Sequence, residues 1–339
     1  MELSPRKEQI LASVVSGFIR GGEPVGSKAV AREVGVSSAT VRNEMASLTE
    51  LGFLEQPHTS AGRVPSQRGY REYVDRLMPE PQLDPEEQSW IDSRLGPCDP
   101  DRLLAAAARL AAELGRCAAA ATTPGGAGAR VKAVQLVQTS RRTAMLLLIS
   151  SGGTIKSRAF HCDYDLTTEI LRYFFRAFNE RAAGRPVSEI TPAFLQSLGA
   201  SLGGMYALVG APLRALLEAA GDTARTDMVL SGQMNLLQHG GFGPAELRRV
   251  LDFLEDREAM ASLLDQKPGR ITVLIGREAG LPALEEASAV VARYRVDGRD
   301  AGAIAAVGPM RMDYRRQLAA LGYLSQRVGD QLTMLARDE

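Results

Sequence analysis

One short stretch decides the fold of the N-terminal segment: Gly35-Val36-Ser37-Ser38-Ala39-Thr40-Val41-Arg42-Asn43-Glu44-Met45. A glycine, then serines that can cap a helix, then apolar residues at helical spacing are typical of a turn leading into a helix. A preceding segment, capped at Ser27 and carrying Val30 and Val34, predicts another helix before the turn. Together they predict a helix-turn-helix, in which the second helix enters the major groove of DNA.

A basic hairpin is predicted to follow this second helix. Phe53-Leu54-Glu55 begins a short strand, Gln56 to Gly62 forms the connection, and Val64-Pro65 returns. From Gln56 to Arg71 the chain has three arginines and no acidic residue, so this stretch carries a local charge of +3. This order predicts a winged helix-turn-helix over residues 1–78.

The exposed face of the second helix has the chemistry of a base-reading surface. At about 100° per residue, Val41, Met45 and Leu48 point inward. Asparagine and arginine can bond the edges of adenine and guanine in bidentate fashion. The predicted DNA-contacting residues lie on this face, at the helix start and in the wing: Ser37, Ser38, Ala39, Thr40, Arg42, Asn43, His58, Thr59, Ser60, Arg63 and Arg68.

Two alternatives to DNA binding remain open for these residues. Arg42 could pair with Glu33 or Glu50 within the chain, and winged helices also serve as protein-binding modules. Gly62 is expected to let the wing turn tightly against a backbone or a minor groove.

Composition limits the partners of the 339-residue chain. Lys+Arg and Asp+Glu number 40 each, so the net charge is zero and any affinity for nucleic acid must come from a local patch. Three cysteines do not make a disulfide framework. No run approaches the roughly 18 apolar residues of a membrane helix, and the N-terminus has no signal-peptide pattern. We therefore expect a soluble, cytoplasmic protein with no membrane partner.

The rest of the chain predicts a linker and an α+β region. A proline-rich linker, 79–100, holds one short helix around Trp90, and an alanine-rich helix covers 101–121. Strands are predicted at 131–138, 143–150 and 154–161, and again at 271–276, 288–296 and 302–308. Helices are predicted at 166–182, through most of 190–266, and at 313–335. Strands separated by a helical stretch predict one sheet with an inserted subdomain.

Two apolar patterns are compatible with either core packing or a dimer contact. The first is a heptad-like seam from Leu103 to Cys117, and the second is a stripe of Leu318, Leu321, Leu324 and Val328.

The polar residues predict no catalytic site, metal site or cofactor. The three histidines, His58, His161 and His239, are scattered along the chain, and the three cysteines, Cys98, Cys117 and Cys162, lack metal-ligand spacing. No nucleophile elbow or nucleotide-binding glycine loop is present. We therefore expect a regulator rather than an enzyme.

The chain resembles the heat-inducible transcription repressors of the HrcA family. The motifs that support the resemblance are Gly22-Glu23-Pro24-Val25-Gly26-Ser27, Ser38 to Met45, Leu51 to Pro65, Gly69 to Asp75, Ser231-Gly232-Gln233-Met234-Asn235-Leu236-Leu237, and Ala306 to Tyr314. They span nearly the full chain.

The resemblance implies a multidomain α+β protein: an N-terminal winged helix and a GAF-like domain interrupted by a mostly helical dimerisation domain. We place the GAF-like parts at 101–187 and 267–339 and the insert at 188–266. The resemblance further implies a homodimer that binds an inverted-repeat operator, the CIRCE element, upstream of chaperone operons, with the chaperonin GroEL as a modulating partner. A repressor controlled by a small ligand in the GAF-like domain is the alternative.

Overall fold

The computed structural model describes residues 3–58, 61–96, 99–123, 129–224, 228–238, 240–265 and 269–337. The predicted DNA-contacting residues Thr59 and Ser60 lie outside these ranges, as do Cys98 and His239.

The N-terminal segment is a winged helix, as predicted. Its elements are α1 (Pro5–Gly21), α2 (Ser27–Val34), α3 (Ser38–Glu50), β1 (Leu54–Glu55), β2 (Val64–Pro65) and α4 (Gln67–Glu72), which continues as a π-helical turn over Tyr73–Leu77. The Ser4 side chain caps α1, where Pro5 occupies the first turn. The three apolar residues of α3 are buried, with Val41 and Leu48 fully inaccessible. Each such side chain contributes about 1.5–3 kcal/mol relative to an exposed one.

The alanine-rich segment divides into a helix and a strand, so the predicted helix at 101–121 was too long. After α5 (Pro85–Leu95), which contains Trp90, α6 spans Pro100–Gly115 and ends where Arg116 takes a left-handed conformation with φ 48°. Residues Ala118–Thr122 form β3, in which every residue is buried. Alanine favours helix locally, but pairing with strands from distant parts of the chain overrides that preference.

The described residues form a five-stranded antiparallel sheet in the order β7-β3-β10-β9-β8. Its remaining strands are β7 (Met228–Ser231), β8 (Ile271–Ile275), β9 (Ala287–Val296) and β10 (Arg299–Pro309). The last three match the predicted strands closely, whereas β7 lies in a stretch that was predicted to be mostly helical. Helix α6 and the long C-terminal helix α13 (Tyr314–Arg337) cover one face. Helices α11 (Pro244–Glu255) and α12 (Arg257–Asp265) cover the other, after the short α10 (Gln233–Gln238).

A second unit is inserted between β3 and β7. Its three-stranded antiparallel sheet contains β4 (Val131–Gln138), β5 (Thr143–Ser150) and β6 (Ile155–His161). Helices α7 (Thr168–Ala182), α8 (Pro192–Ser201) and α9 (Gly210–Ala224) pack with it around a separate hydrophobic core.

The inserted unit corrects the predicted domain boundaries. The chain leaves the main sheet after β3 and returns at β7, so the insert lies at 129–224 rather than at 188–266. The strands at 131–161 belong to this insert and not to the main sheet. Residues 228–265, predicted to be part of the insert, pack on the main sheet instead.

Both apolar patterns that the sequence left open are packed within the chain. Leu103 and Leu110 of α6 and Leu321, Leu324 and Val328 of α13 are buried in one core with residues of the winged helix. The winged helix is therefore packed directly on the C-terminal domain.

Candidate nucleic-acid interface

The start of α3 is fixed by hydroxyl groups. The backbone N–H of Thr40 donates to Ser37 Oγ at 3.1 Å, and the hydroxyls of Ser37 and Thr40 are 2.8 Å apart. The hydroxyl of Ser38 lies 3.0 Å from that of Ser27 at the start of α2. These side chains, predicted to contact DNA, thus also cap α3 and join the two helices. The backbone N–H groups of Ser38 and Ala39 belong to the first turn of α3, where amides have no intrahelical acceptor, and such amides suit a phosphate.

The outward face of α3 presents Ala39, Arg42 and Asn43, which are all exposed. Within the described residues, neither the Arg42 nor the Asn43 side chain forms a hydrogen bond or ion pair. Glu33 instead accepts from Ser13 and lies 4.0 Å from Arg20, so Arg42 does not pair with it. The two side chains best suited to reading bases therefore face outward and have no partner among the described residues.

The wing is held against the turn that precedes α2. Leu54 and Glu55 pair with Pro65 and Val64, and Arg63 forms a further antiparallel bridge with Val25. A Cβ atom at Gly62 would lie 2.4 Å from the carbonyl oxygen of Val25. Glycine is needed there because the wing touches this protein backbone, whereas the sequence had suggested a close approach to DNA as the role of Gly62.

Arg63 connects the wing to α3. Its Nε donates to Thr49 Oγ1 at 3.0 Å, and the Thr49 hydroxyl donates to the Met45 carbonyl at 2.8 Å. The Arg63 side chain is half-buried and also contacts the Gly62 carbonyl at 3.4 Å. This geometry makes Arg63 a positioning residue for the wing, in addition to its charge.

The other two arginines of the basic stretch have partners within the protein. Arg68 donates to the Leu51 carbonyl at 2.9 Å and lies over the Phe53 ring, with Cζ 4.3 Å from the centroid. Arg71 forms an ion pair with Glu278 of the C-terminal domain and donates to the Val273 carbonyl at 2.7 Å. The +3 stretch is thus partly neutralised, and Arg71 belongs to a contact between domains. His58 is exposed in the connection between β1 and β2.

Two further cations were missed by the sequence reasoning. Lys28 and Arg32 on α2 are exposed, and neither has an ion-pair partner among the described residues. Their spacing of four residues places them on one side of the helix that crosses the DNA backbone in helix-turn-helix proteins. That spacing was visible in the sequence and could have identified them.

The described cysteines are buried thiols that lie apart from α3 and the wing. Cys117 is buried and accepts a hydrogen bond from Gln317 Nε2 at 3.3 Å, and burial raises the pKa of its thiol to about 12. Cys162 is a buried free thiol. In the described part of the chain, no three His, Cys, Asp or Glu side chains are grouped as metal ligands. Nor does any helix there have the length and apolar character needed to cross a membrane.

The packed helix-turn-helix, its wing and the free polar face of α3 define a winged-helix DNA-binding regulator. Two family profiles match the chain. One, described as the HrcA winged helix-turn-helix transcription repressor DNA-binding domain, covers residues 2–75, and the other, the HrcA protein C-terminal domain, covers 101–318. The chain belongs to the HrcA family of heat-inducible transcription repressors, which are regulators rather than enzymes.

Proteins of similar sequence and structure match this chain over nearly its whole length. The heat-inducible transcription repressor HrcA of Desulforudis audaxviator is 37% identical, over 99% of this chain and 100% of that protein. The HrcA repressor of Moorella thermoacetica is 34% identical over the same shares of both chains. A crystal structure described as that of a hypothetical protein has a TM-score of 0.65 and 25% identity, covering 98% of this chain and 99% of its own.

Proposed function

We propose that this chain represses chaperone operons in the cytoplasm by binding, as a homodimer, to an inverted-repeat operator of the CIRCE type. The observation on which the proposal rests is the exposed pair Arg42 and Asn43 at the start of α3, which have no partner in the described protein. Bidentate contacts from such side chains discriminate each base pair by about 1–3 kcal/mol.

The charge distribution favours two DNA-binding domains acting together. The whole chain has no net charge, and Arg71 is engaged in a domain contact. A single winged helix therefore offers few cations to phosphates, and each phosphate neutralised adds only about 0.9 to the salt slope. A twofold dimer doubles these contacts and matches a palindromic operator.

The inserted unit is the proposed site of dimerisation. It exposes several large apolar side chains, among them Tyr173 (43%), Tyr206 (56%) and Ile155 (55%). Large apolar side chains that a folded unit leaves exposed are available for contact with another protein. The apolar seams of α6 and α13 are unsuited to this role because they are buried within the chain.

Heat and the chaperonin GroEL are proposed to act on the amount of folded repressor. Proteins are marginally stable, so a change of about 1–2 kcal/mol alters the active concentration severalfold. A chaperonin that assists folding would raise this concentration, and its occupation by other unfolded chains during heat stress would lower it.

A gel-shift titration tests the proposal. The purified chain is incubated with an inverted-repeat duplex at growth and heat-shock temperatures, with and without GroEL and ATP. We expect heat to reduce the shifted fraction and the chaperonin to restore it. If the fraction stays constant across both temperatures without chaperonin, direct thermal sensing is excluded; if chaperonin has no effect after heating, its proposed role is wrong.

A further inference from the structure

A cavity of about 390 Å³ lies where the end of β9 meets α13. This volume is within the range of small-molecule sites, roughly 300–1,000 Å³. Its charged and polar lining includes Arg270, Arg293, Arg295, Asp300, Gln326 and Asp330. Three arginines thus contribute to the lining of one cavity, well away along the chain from α3.

Two of these arginines have no carboxylate partner among the described residues. Arg295 Nε donates to Asp300 at 2.8 Å and is neutralised. Arg270, in contrast, donates only to the Gln326 side-chain carbonyl at 3.4 Å, and Arg293 only to the Leu264 backbone carbonyl at 2.9 Å. Both acceptors are uncharged. With Asp300 paired to Arg295, Asp330 is the one other carboxylate of the lining, so the three arginines and two aspartates leave a net charge of +1 at the cavity.

The backbone holds these two arginines side by side. The N–H of Arg293 donates to the carbonyl of Arg270 at 2.9 Å, just beyond the paired part of β8 and β9. Like charges directly opposite each other on adjacent strands destabilise a sheet, and an anion bound nearby would offset their repulsion.

The walls of the cavity are firmly packed. A Cβ atom at Gly329 would lie 2.5 Å from the Arg295 carbonyl, so α13 rests directly on the backbone of β9. Tyr294, on the same strand, is buried and its hydroxyl donates to the Thr122 carbonyl at 2.6 Å. A preformed cavity avoids the ordering cost that weakens binding to mobile sites.

We propose that this cavity binds a small phosphate-bearing anion, with Arg270 and Arg293 holding the phosphate oxygens. Guanidinium groups match phosphate geometry and form charge-assisted hydrogen bonds with it. The proposal goes beyond the repressor function and does not depend on which operator is bound.

The cavity shares a helical turn with the contact that holds α5. Gln326 lines the cavity, and the next residue, Arg327, donates to Asp92 of α5 at 2.7 Å. Tyr323 donates to the other Asp92 oxygen at 2.9 Å. An anion bound at Gln326 would therefore contact the turn of α13 whose side chains bond Asp92. Asp92 belongs to α5, the helix that follows the winged helix.

Isothermal titration of the full chain with sodium pyrophosphate, and separately with ADP, tests the proposal at constant ionic strength. We expect saturable binding that Arg270→Ala and Arg293→Ala each weaken about tenfold, the effect of one charge-assisted hydrogen bond. Arg214→Ala on α9 is the matched control, because Arg214 is exposed, has no partner in the described chain and should leave binding unchanged.

Comparison of the variants and of the two ligands distinguishes the possible explanations of the binding data. Because Arg293 also bonds Leu264, circular dichroism checks that its variant folds, and Arg270→Ala alone decides the matter if it does not. Binding of pyrophosphate supports recognition of the diphosphate group itself; binding of ADP alone, lost in Arg270→Ala, supports a nucleotide. Absence of saturable binding by either ligand overturns the proposal. So does binding that Arg270→Ala leaves intact, or that Arg214→Ala weakens equally.

Discussion

Arg71 of the winged helix and Glu278 of the C-terminal domain form a two-point ion pair between residues 207 positions apart in the chain. Arg71 Nε lies 3.0 Å from Glu278 Oε1, and Nη2 contacts the second carboxylate oxygen. Burial lowers the pKa of Arg71, but its hydrogen bonds with Glu278 and Asp75 outweigh that effect and hold the pKa above its ordinary value. The charge of Arg71 thus serves the contact between domains.

Replacing Arg71 should weaken the domain contact and leave DNA electrostatics unchanged. Hydrogen bonds to charged groups contribute about 1.5–3 kcal/mol, so Arg71→Ala is expected to lower the free energy of unfolding by a similar amount. Chemical denaturation followed by circular dichroism measures this loss. Arg76→Ala is the control, because its ion pairs with Glu8 and Glu72 are more exposed and should contribute below about 1 kcal/mol.

The salt dependence of DNA binding provides the second half of this test. Arg42→Ala should reduce the slope by about one unit if Arg42 contacts a phosphate, or relax base preference if it reads a base. Arg71→Ala should do neither. A flatter salt slope in Arg71→Ala would mean that its charge reaches the DNA, contrary to the structure.

Asn43 is predicted to read a base. Asn43→Ala should weaken binding to the operator by about 1–3 kcal/mol and relax preference at one base pair, because a bidentate contact to adenine is lost. Affinity for random DNA should stay the same, since that affinity comes from phosphates. Fluorescence anisotropy with operator and scrambled duplexes measures both. Equal losses on the two duplexes would exclude base reading by Asn43.

Arg63 should act on DNA binding through the position of the wing. Thr49→Val removes the acceptor of the Arg63 Nε bond without changing charge, and we expect it to reproduce part of the loss seen in Arg63→Ala. Arg63→Lys keeps the charge but cannot repeat the Nε geometry, so it should restore the salt slope and only part of the affinity. Anisotropy titrations at several salt concentrations separate these effects. If lysine restored the full affinity and Thr49→Val had no effect, Arg63 would act only as a phosphate contact and not as a positioning residue.

Two tyrosines at the domain contact should respond in opposite ways to loss of their hydroxyls. The rings of Tyr70 and Tyr314 are 5.9 Å apart, but only the Tyr314 hydroxyl is bonded, to the Met310 carbonyl at 2.6 Å and to Ser288 at 2.8 Å. The Tyr70 hydroxyl is buried without a partner in the described structure. Tyr70→Phe should therefore be neutral or stabilising, and Tyr314→Phe should cost about 1–3 kcal/mol. Denaturation curves compare the two, and a clear destabilisation by Tyr70→Phe would reveal an unseen partner.

The winged helix could be predicted from sequence because its signals are local. A serine cap at Ser37 or Ser38 and the inward stripe of Val41, Met45 and Leu48 are signals within a few residues of one another. The structure confirms the stripe and identifies Ser37 as the cap. Arg63 and Arg71 were harder to interpret, since their partners depend on tertiary packing. A count of charges cannot distinguish an arginine that faces DNA from one bonded to Glu278.

The division of the strands between two sheets could not be predicted. Strands β4, β5 and β6 were located correctly, but their composition does not say which sheet they join. That is decided by pairing over long range, as between Ala119 of β3 and Ala306 of β10. Because of the same pairing, Ala118–Thr122 form a buried interior strand where the sequence predicted the end of a helix.

The central claim is that two copies of the exposed α3 face bind two operator half-sites together. Fluorescence anisotropy with an intact inverted repeat, compared with a duplex in which one half-site is scrambled, tests it most directly. We predict that scrambling one half weakens binding by at least about a hundredfold, because a whole set of base contacts is lost. Equal affinity for the two duplexes, at one chain per duplex, would contradict the account.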